Sequence, residues 1–442
     1  MKKILIVSYL FAPENQVGSI RATKLAKYLA EKNDYQIEVI TTSLKVHLDK
    51  SYEKKDYENV NVTELNHSKF IERYIKRING TGKRSTSREK SVIKDNNKNK
   101  HYFNKVIKVL RIYMLFILNI MINLDFYHSF KKHVNANKDK YEDYNVLVST
   151  YGPLTSVLCG IAFKKKHPKI SWICDFRDPM VTDLRLPIDN KINSFLQKKA
   201  CKLADKIVTV SNGYLERICN GKYDYKSYVI PNGFDENDLL DNKSINKSDA
   251  KFSFTYTGYL YGGKRDLTPL FKCLSALIKE KVIQKNDLIF NYAGTDYSNL
   301  VNQANEFKLQ SICVNHGFLT HRDAINLQSC SRFLILSTWN SKSEIGVFPA
   351  KFLEYMLSNK PIIAIVNGDL PNSEVSNVMN KAALGFSFEI ARYDRDFKAL
   401  KAYIKEEYLR FKGGMETNFN PNQYVIKRYD YKNIVAEFEE II

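Results

Sequence analysis

The chain has 442 residues, 44% of them hydrophobic and 26% charged, which is enough to bury two or three domain cores. Its formal net charge is +20, a surplus that favours polyanionic surfaces or phosphate-bearing ligands. The seven cysteines are scattered with no C-x-x-C pair, which speaks against a disulfide framework or a zinc site and for reduced thiols in a cytoplasmic compartment.

The start, MKKILIVSYLF, joins basic residues to an apolar run, as a secretion signal does. The run is short, however, and passes directly into APENQ and an amphipathic segment, so residues 3–9 read as a first strand. Residues 20–31 have helical spacing, with Leu25, Tyr28 and Leu29 on one face. Residues 37–41, 145–149, 170–174 and 206–210 follow as strands, most of them leading into helix-forming stretches. Continuous apolar runs such as Ile4-Leu5-Ile6-Val7 suit parallel strands covered on both faces. After a polar stretch at 236–251 the same grammar returns. Strands are expected at 252–256, 288–293, 311–315, 333–337 and 361–366, and helices at 267–280, 322–330 and 350–358. The expectation is an α/β fold of two Rossmann-like, doubly wound domains facing across a cleft. The first covers 1–240, with a basic insertion at about 69–130, and the second covers 250–420. A last helix at 421–442, with Ile434, Phe438 and Ile441 at helical spacing, is expected to cross back to the first domain.

The insertion concentrates the charge. Between Lys69 and Arg111 stand 14 Lys or Arg and 3 Asp or Glu, a surplus of 11. Residues 79–100 are polar without apolar periodicity. They lead into 103–124, where Phe103, Val106, Ile107, Leu110, Met114 and Ile117 recur at helical spacing away from Lys105, Lys108 and Arg111. The uninterrupted apolar stretch, 112–118, is far shorter than the ~20 residues a bilayer crossing needs. Two readings stand side by side. One is a core helix behind a solvated basic loop. The other is a basic amphipathic element resting on an anionic membrane surface.

Four segments carry the chemistry. Gly18, Ser19 and Arg21 lie between the first strand and the first helix. A glycine there lets a ligand approach the backbone, and the helix amino end offers amides to a phosphate. The segment is not a full G-x-G-x-x-G, and a plain glycine loop with a helix cap explains it equally. In WICDFRDP (172–179) an apolar strand ends in Asp175, Arg177 and Asp178. Charges at a strand's carboxyl end suit hydroxyls or phosphates, and the competing reading is a structural Asp–Arg pair. Lys264 and Arg265 close a glycine-rich loop that begins at Gly258. Lys351 opens a helix, with Glu354 one turn later. Cations so placed would stabilise a departing diphosphate, helped by the helix dipole.

These segments resemble glycosyltransferase family 4, specifically its bacterial members with a DFRDPW signature, with Met180 here in place of the Trp. ADKIVTVS (204–211), PNGFD (231–235), TGYLYGGKR (257–265) and FPAKFLEY (348–355) are similar to further motifs of that family, in the same order. The resemblance covers nearly the whole chain except about 69–130. It implies a retaining, metal-independent transfer of a sugar from a nucleotide-diphosphate donor to a glycan or lipid-linked acceptor of surface-polysaccharide synthesis. That places the protein in the cytoplasm or on the inner face of the plasma membrane. The first domain would take the acceptor and the second the donor. Glu354 would grip the ribose hydroxyls, with Asp175, Arg177, Lys264, Arg265 and Lys351 as the catalytic set. No resident cofactor is implied.

The sequence also departs from the family pattern. Two glutamates with seven residues between them are usual, whereas Glu344 and Glu354 have nine between them. Backbone amides from Glu344 to Val347 would then serve in the first glutamate's place, with Glu344, Gly346, Val347 and Phe348 counted among the donor-binding residues. Tyr259 stands where an Arg often follows the loop glycine, and Asp175 or Arg177 takes the place of a His. A non-hydrolysing sugar-nucleotide epimerase shares the two-domain plan and is the alternative. A nucleic-acid-binding role fits less well, because the charge sits in one polar insertion and no aromatic-interleaved basic face or nucleic-acid module is recognisable.

Overall fold

The computed structural model describes residues 1–14, 17–45, 57–82, 98–183, 185–236 and 251–442. The polar stretch expected at 79–100 and the linker expected at 236–251 fall mostly outside these residues. The chain divides into two compact units. Unit 1 comprises Met1–Thr209, Gly221–Tyr228 and Glu439–Ile442, and unit 2 comprises Val210–Asn220 and Val229–Phe438.

The sheet of unit 1 and its helices run β1 (Lys2–Val7), α1 (Val17–Ala30), β2 (Tyr35–Thr42), β3 (Asn61–Leu65), α2 (Lys69–Gly82), α3 (Lys98–Ala136) and α4 (Lys138–Glu142). They continue with β4 (Val146–Thr150), α5 (Leu154–Lys166), β5 (Ser171–Phe176), α6 (Pro187–Leu203) and β6 (Lys206–Thr209). α7 (Asn212–Cys219) belongs to unit 2, and β7 (Ser227–Val229) completes the first sheet. The strand order is β3-β2-β1-β4-β5-β6-β7, and the order reverses between β1 and β4.

Unit 2 proceeds β8 (Phe252–Thr257), α8 (Thr268–Lys279), β9 (Leu288–Ala293), α9 (Tyr297–Asn305), β10 (Cys313–Asn315) and α10 (His321–Ser329). It goes on with β11 (Phe333–Trp339), α11 (Ala350–Leu357), β12 (Ile362–Asn367), α12 (Glu374–Ala382) and β13 (Gly385–Glu389). It ends with α13 (Tyr393–Lys412), α14 (Gln423–Lys427) and α15 (Tyr431–Glu439). Its order, β10-β9-β8-β11-β12-β13, is the doubly wound one, with the reversal between β8 and β11.

Both sheets are covered on both faces, as their apolar runs require. Ile4 through Val7 of β1 are fully buried and run parallel to β2 and β4. In unit 2, Phe252, Phe254 and Phe333 pack into one core face while Leu334, Leu336 and Ile362 pack into another. The seven cysteines are all free.

α3 divides into two parts. Its later half packs on unit 1: Phe126, Phe130 and Val134 are buried, and Phe130 meets Phe163 of α5 at 6.3 Å. Buried Asn123 accepts the Thr155 amide (3.0 Å), and Asp125 accepts from His67 Nδ1 (2.8 Å), whose Nε2 meets the Tyr9 hydroxyl (3.0 Å). From Ile107 to Ile122 the described large apolar side chains are mostly exposed, so the reading of 103–124 as a core helix does not hold for Ile107 to Ile117, while the side chains of Phe103 and Val106 lie outside the described ones.

Candidate functional site

Ligands of doubly wound sheets bind at the carboxyl ends of strands flanking the order reversal. In unit 2 those ends are Thr257 of β8 and Trp339 of β11, and the predicted groups collect there. Gly258 follows β8 with φ +136°, a conformation that only glycine adopts without strain, and its amide donates to Ala293 O (2.8 Å). The loop then brings Lys264 over the Trp339 ring (4.2 Å) and within 3.1 Å of a Glu344 carboxylate oxygen. Buried Glu344 also accepts the Trp339 indole N–H at 2.6 Å. Glu344, expected against the donor, is therefore engaged with Lys264 and Trp339.

Arg265 lies 4.7 Å from the Tyr261 ring centroid and donates to Tyr259 O (3.0 Å) and the Tyr256 hydroxyl (3.3 Å). Its Nε is buried without a hydrogen-bond partner.

The second cluster grows from α11. Pro349 precedes this helix and no side chain caps it, which leaves its first amides and dipole unopposed by a capping oxygen. Lys351 Nζ lies 3.0 Å from both oxygens of Glu354, one turn on. Gln328 Nε2 donates to Glu354 (2.6 Å) and to Thr257 Oγ1 (3.1 Å), which ties this carboxylate to the end of β8. Burial pushes the Glu354 carboxyl up, but His321, Lys351 and Gln328 outweigh it and hold the group down to about 2. Gly346 packs its backbone on α7: Ser211 Oγ donates to Gly346 O (2.7 Å). The Phe348 ring stacks on Tyr429 (5.7 Å), and Val347 is half-buried between these two neighbours.

In unit 1 the corresponding reversal lies between β1 and β4. Arg21 and Asp175 form a buried ion pair, with Arg21 Nε donating to the two carboxylate oxygens at 2.9 and 3.2 Å. Their charges hold α1 to β5 and are closed to solvent, at 1% and 0% exposure. Ser19 is buried as well, its hydroxyl donating to Glu14 O at 2.5 Å. Arg177 is differently placed. Its guanidinium lies between Gly18 and Gly152, where an added Cβ would stand 2.8 and 2.9 Å from its nitrogens. Asp178 binds Nε and Nη2, while Nη1 is buried without a partner. Gly18 thus makes room for an arginine side chain.

These two sheets, each with its strand order reversed at the centre, decide the fold class. It is the GT-B fold of two Rossmann-like domains. Sucrose-phosphate synthase from Thermosynechococcus elongatus is similar over 100% of this chain and 98% of its own, at 12% identity and TM-score 0.60. The lipopolysaccharide outer core galactosyltransferase WaaB, in its apo form, is similar over 100% and 98%, at 13% identity and TM-score 0.57. WaaG, a glycosyltransferase involved in lipopolysaccharide biosynthesis, is similar over 99% of both chains, at 9% identity and TM-score 0.55. At such identities the likeness is one of fold. No protein-family model and no curated protein matches the sequence.

Three contributors to this GT-B site escaped the sequence reading. Trp339 is an ordinary strand-ending aromatic in sequence and becomes the platform for Lys264 only through the β8–β11 pairing. Gln328 and His321 lie on α10, with no motif to mark them. Among the described residues no group of three or more His, Cys, Asp or Glu gathers to hold a metal. The chain's Asp-x-Asp, Asp394-Arg395-Asp396, opens α13, where buried Asp396 accepts the Glu389 amide (2.9 Å).

Proposed function

We propose that the chain is a retaining glycosyltransferase that moves a sugar from a nucleotide-diphosphate sugar to a glycan or lipid-linked acceptor of surface-polysaccharide synthesis. Unit 2 takes the donor and unit 1 the acceptor. One observation carries this reading. Lys264 and Arg265 come from the loop after β8 and Lys351 and Glu354 from α11, and contacts through Trp339, Thr257 and Gln328 join these two segments to the carboxyl ends of β8 and β11. The fold shared with the named glycosyltransferases supports it.

In this reading the donor's anomeric carbon–oxygen bond to phosphate breaks and a bond from that carbon to the acceptor oxygen forms. The acceptor proton passes to the departing phosphate oxygen, so the products are a glycoside and a nucleoside diphosphate. Negative charge grows on the leaving group as the bond lengthens. Lys264, Arg265 and Lys351, with the amides that open α11, stabilise that charge from fixed positions, so little reorganisation is needed. Glu354, ionised at neutral pH, accepts from ribose hydroxyls.

The test is a melting-temperature screen with UDP, GDP and their sugars, since a ligand that binds only the folded state raises the midpoint. One nucleotide is expected to stabilise the protein, and Glu354→Ala is expected to remove that shift. A nucleotide shift left intact by Glu354→Ala, or no shift with any of them, refutes the assignment.

A further inference from the structure

Among the described residues, α3 from Ile107 to Met121 presents mostly exposed apolar side chains. Ile107, Val109, Leu110, Ile112, Tyr113, Met114, Leu115, Ile117 and Met121 are each more than two-fifths exposed. Four consecutive members, Ile112 to Leu115, sweep a helix's whole circumference at about 100° per residue. An ordinary surface helix hides a full apolar stripe; here only Phe116, Leu118, Ile120 and Ile122 are even half-covered, and exposed apolar side chains occupy the rest of the circumference. From Asn123 onward the same helix is locked to unit 1 through Thr155, Phe163 and the Tyr9–His67–Asp125 chain. The exposed rod is therefore held rigidly at its base.

Charge selects the occupant. Residues 98–124 hold five Lys or Arg and no Asp or Glu. Two copies of such a segment repel one another, whereas an anionic lipid surface attracts it, at about 1 kcal/mol per basic residue near the headgroups. Length selects the mode of contact. Val109–Ala136 is long and apolar enough to cross a membrane by length and composition alone, but its part from Asn123 on is occupied by unit 1. The remaining residues, 109–122, reach about 21 Å, short of the ~30 Å of a hydrocarbon core.

We propose that the exposed apolar stretch of α3 from Ile107 to Met121 penetrates one leaflet of an anionic bilayer without spanning it and so fixes unit 1 at the membrane surface. This goes beyond the sugar-transfer reading and does not depend on it. It differs from simple adsorption of the basic stretch, because apolar side chains provide part of the binding.

Vesicle co-sedimentation of the full chain tests it, with phosphatidylcholine alone compared with phosphatidylcholine mixed with phosphatidylglycerol. Wild type is expected to bind the mixed vesicles and to keep part of that binding in high salt, which screens charges but not apolar contacts. The triple variant L110S/M114S/I117S changes only exposed positions and should fold normally. Its partitioning is expected to fall on the order of a hundredfold, while Tyr424→Ser, at an exposed residue remote in sequence, binds as wild type. Light scattering without lipid is expected to show the same mass for wild type and triple variant. Unchanged partitioning of the triple variant, binding lost entirely in high salt, or a wild-type oligomer that the triple variant dissolves would each overturn the proposal.

Discussion

Replacing Glu354 by Gln keeps the side chain's shape and removes its charge. Glu354 faces Lys351 at 3.0 Å and accepts from Gln328 at 2.6 Å, with four-fifths of its side chain buried. Its carboxyl is held down to about 2, against an ordinary 4.5, which corresponds to on the order of 3 kcal/mol of native-state stability at neutral pH. A folded-state value below the unfolded one means that this stability is fully present above about pH 4.5. It is lost as pH falls through about 2. Unfolding of unit 2 in urea, followed for wild type and Glu354→Gln, should show a gap of roughly 2–3 kcal/mol at pH 7. That gap should shrink to about half at pH 3. If Glu354 also holds a nucleotide's ribose, the variant binds UDP or GDP roughly 10- to 100-fold more weakly at pH 7. A stability gap of the same size at pH 7 and pH 3 would refute the electrostatic reasoning, because lost packing alone has no such pH dependence.

Other perturbations reach the same machinery from different sides. Gly18→Ala places a methyl 2.8 Å from Arg177 Nη1 and 2.6 Å from Leu10 Cδ1. Both are flexible tips, so the melting temperature should barely change while kcat/KM for sugar transfer falls about tenfold. Trp339→Phe removes the indole donor from buried Glu344, and urea unfolding should report a loss of about 1–3 kcal/mol. Gly385→Ala forces a Cβ to 2.4 Å from Ile362 O at φ +121°, so unit 2 should lose more than ~2 kcal/mol by the same measurement. Arg265→Lys keeps the charge but loses the planar fork that lies over Tyr261. Nucleotide affinity by calorimetry should fall about tenfold with little change in stability.

Much of this architecture is legible in the sequence because a parallel strand covered on both faces must be apolar throughout. β1, β9, β11 and β12 announce themselves largely in that way, and Leu288–Ala293 matches residue for residue. The strands that were missed are those where this constraint relaxes. β3 (NVTEL) and β13 (GFSFE) are half-covered edge strands of mixed polarity, and β7 has only three residues. The same division runs through the site. Lys351 and Glu354 are neighbours by helical geometry, three residues apart, so their pairing follows from sequence. The contact of Lys264 with Glu344 and Trp339 spans 80 and 75 positions and depends on which strands lie side by side. Nor does any local rule tell that Asp175 turns to Arg21 while Arg177, two residues on, lodges between Gly18 and Gly152. For α3 the periodicity of 103–124 was visible, but only the seating of Asn123 and Phe126 on unit 1 fixes where the covered half begins.

The three site cations of unit 2 differ in how their charge is balanced. Lys264 is matched by Glu344 and Lys351 by Glu354, so two of the three are neutralised within the protein. Arg265 is the exception: it meets a carbonyl, a hydroxyl and two rings, and its Nε is left without a partner. In the proposed donor complex a diphosphate would therefore not have to break an ion pair to engage Arg265. Glu344 then has a role different from a sugar contact. Anchored by the Trp339 indole and paired with Lys264, it would preorganise that ammonium for the leaving group of the proposed transfer.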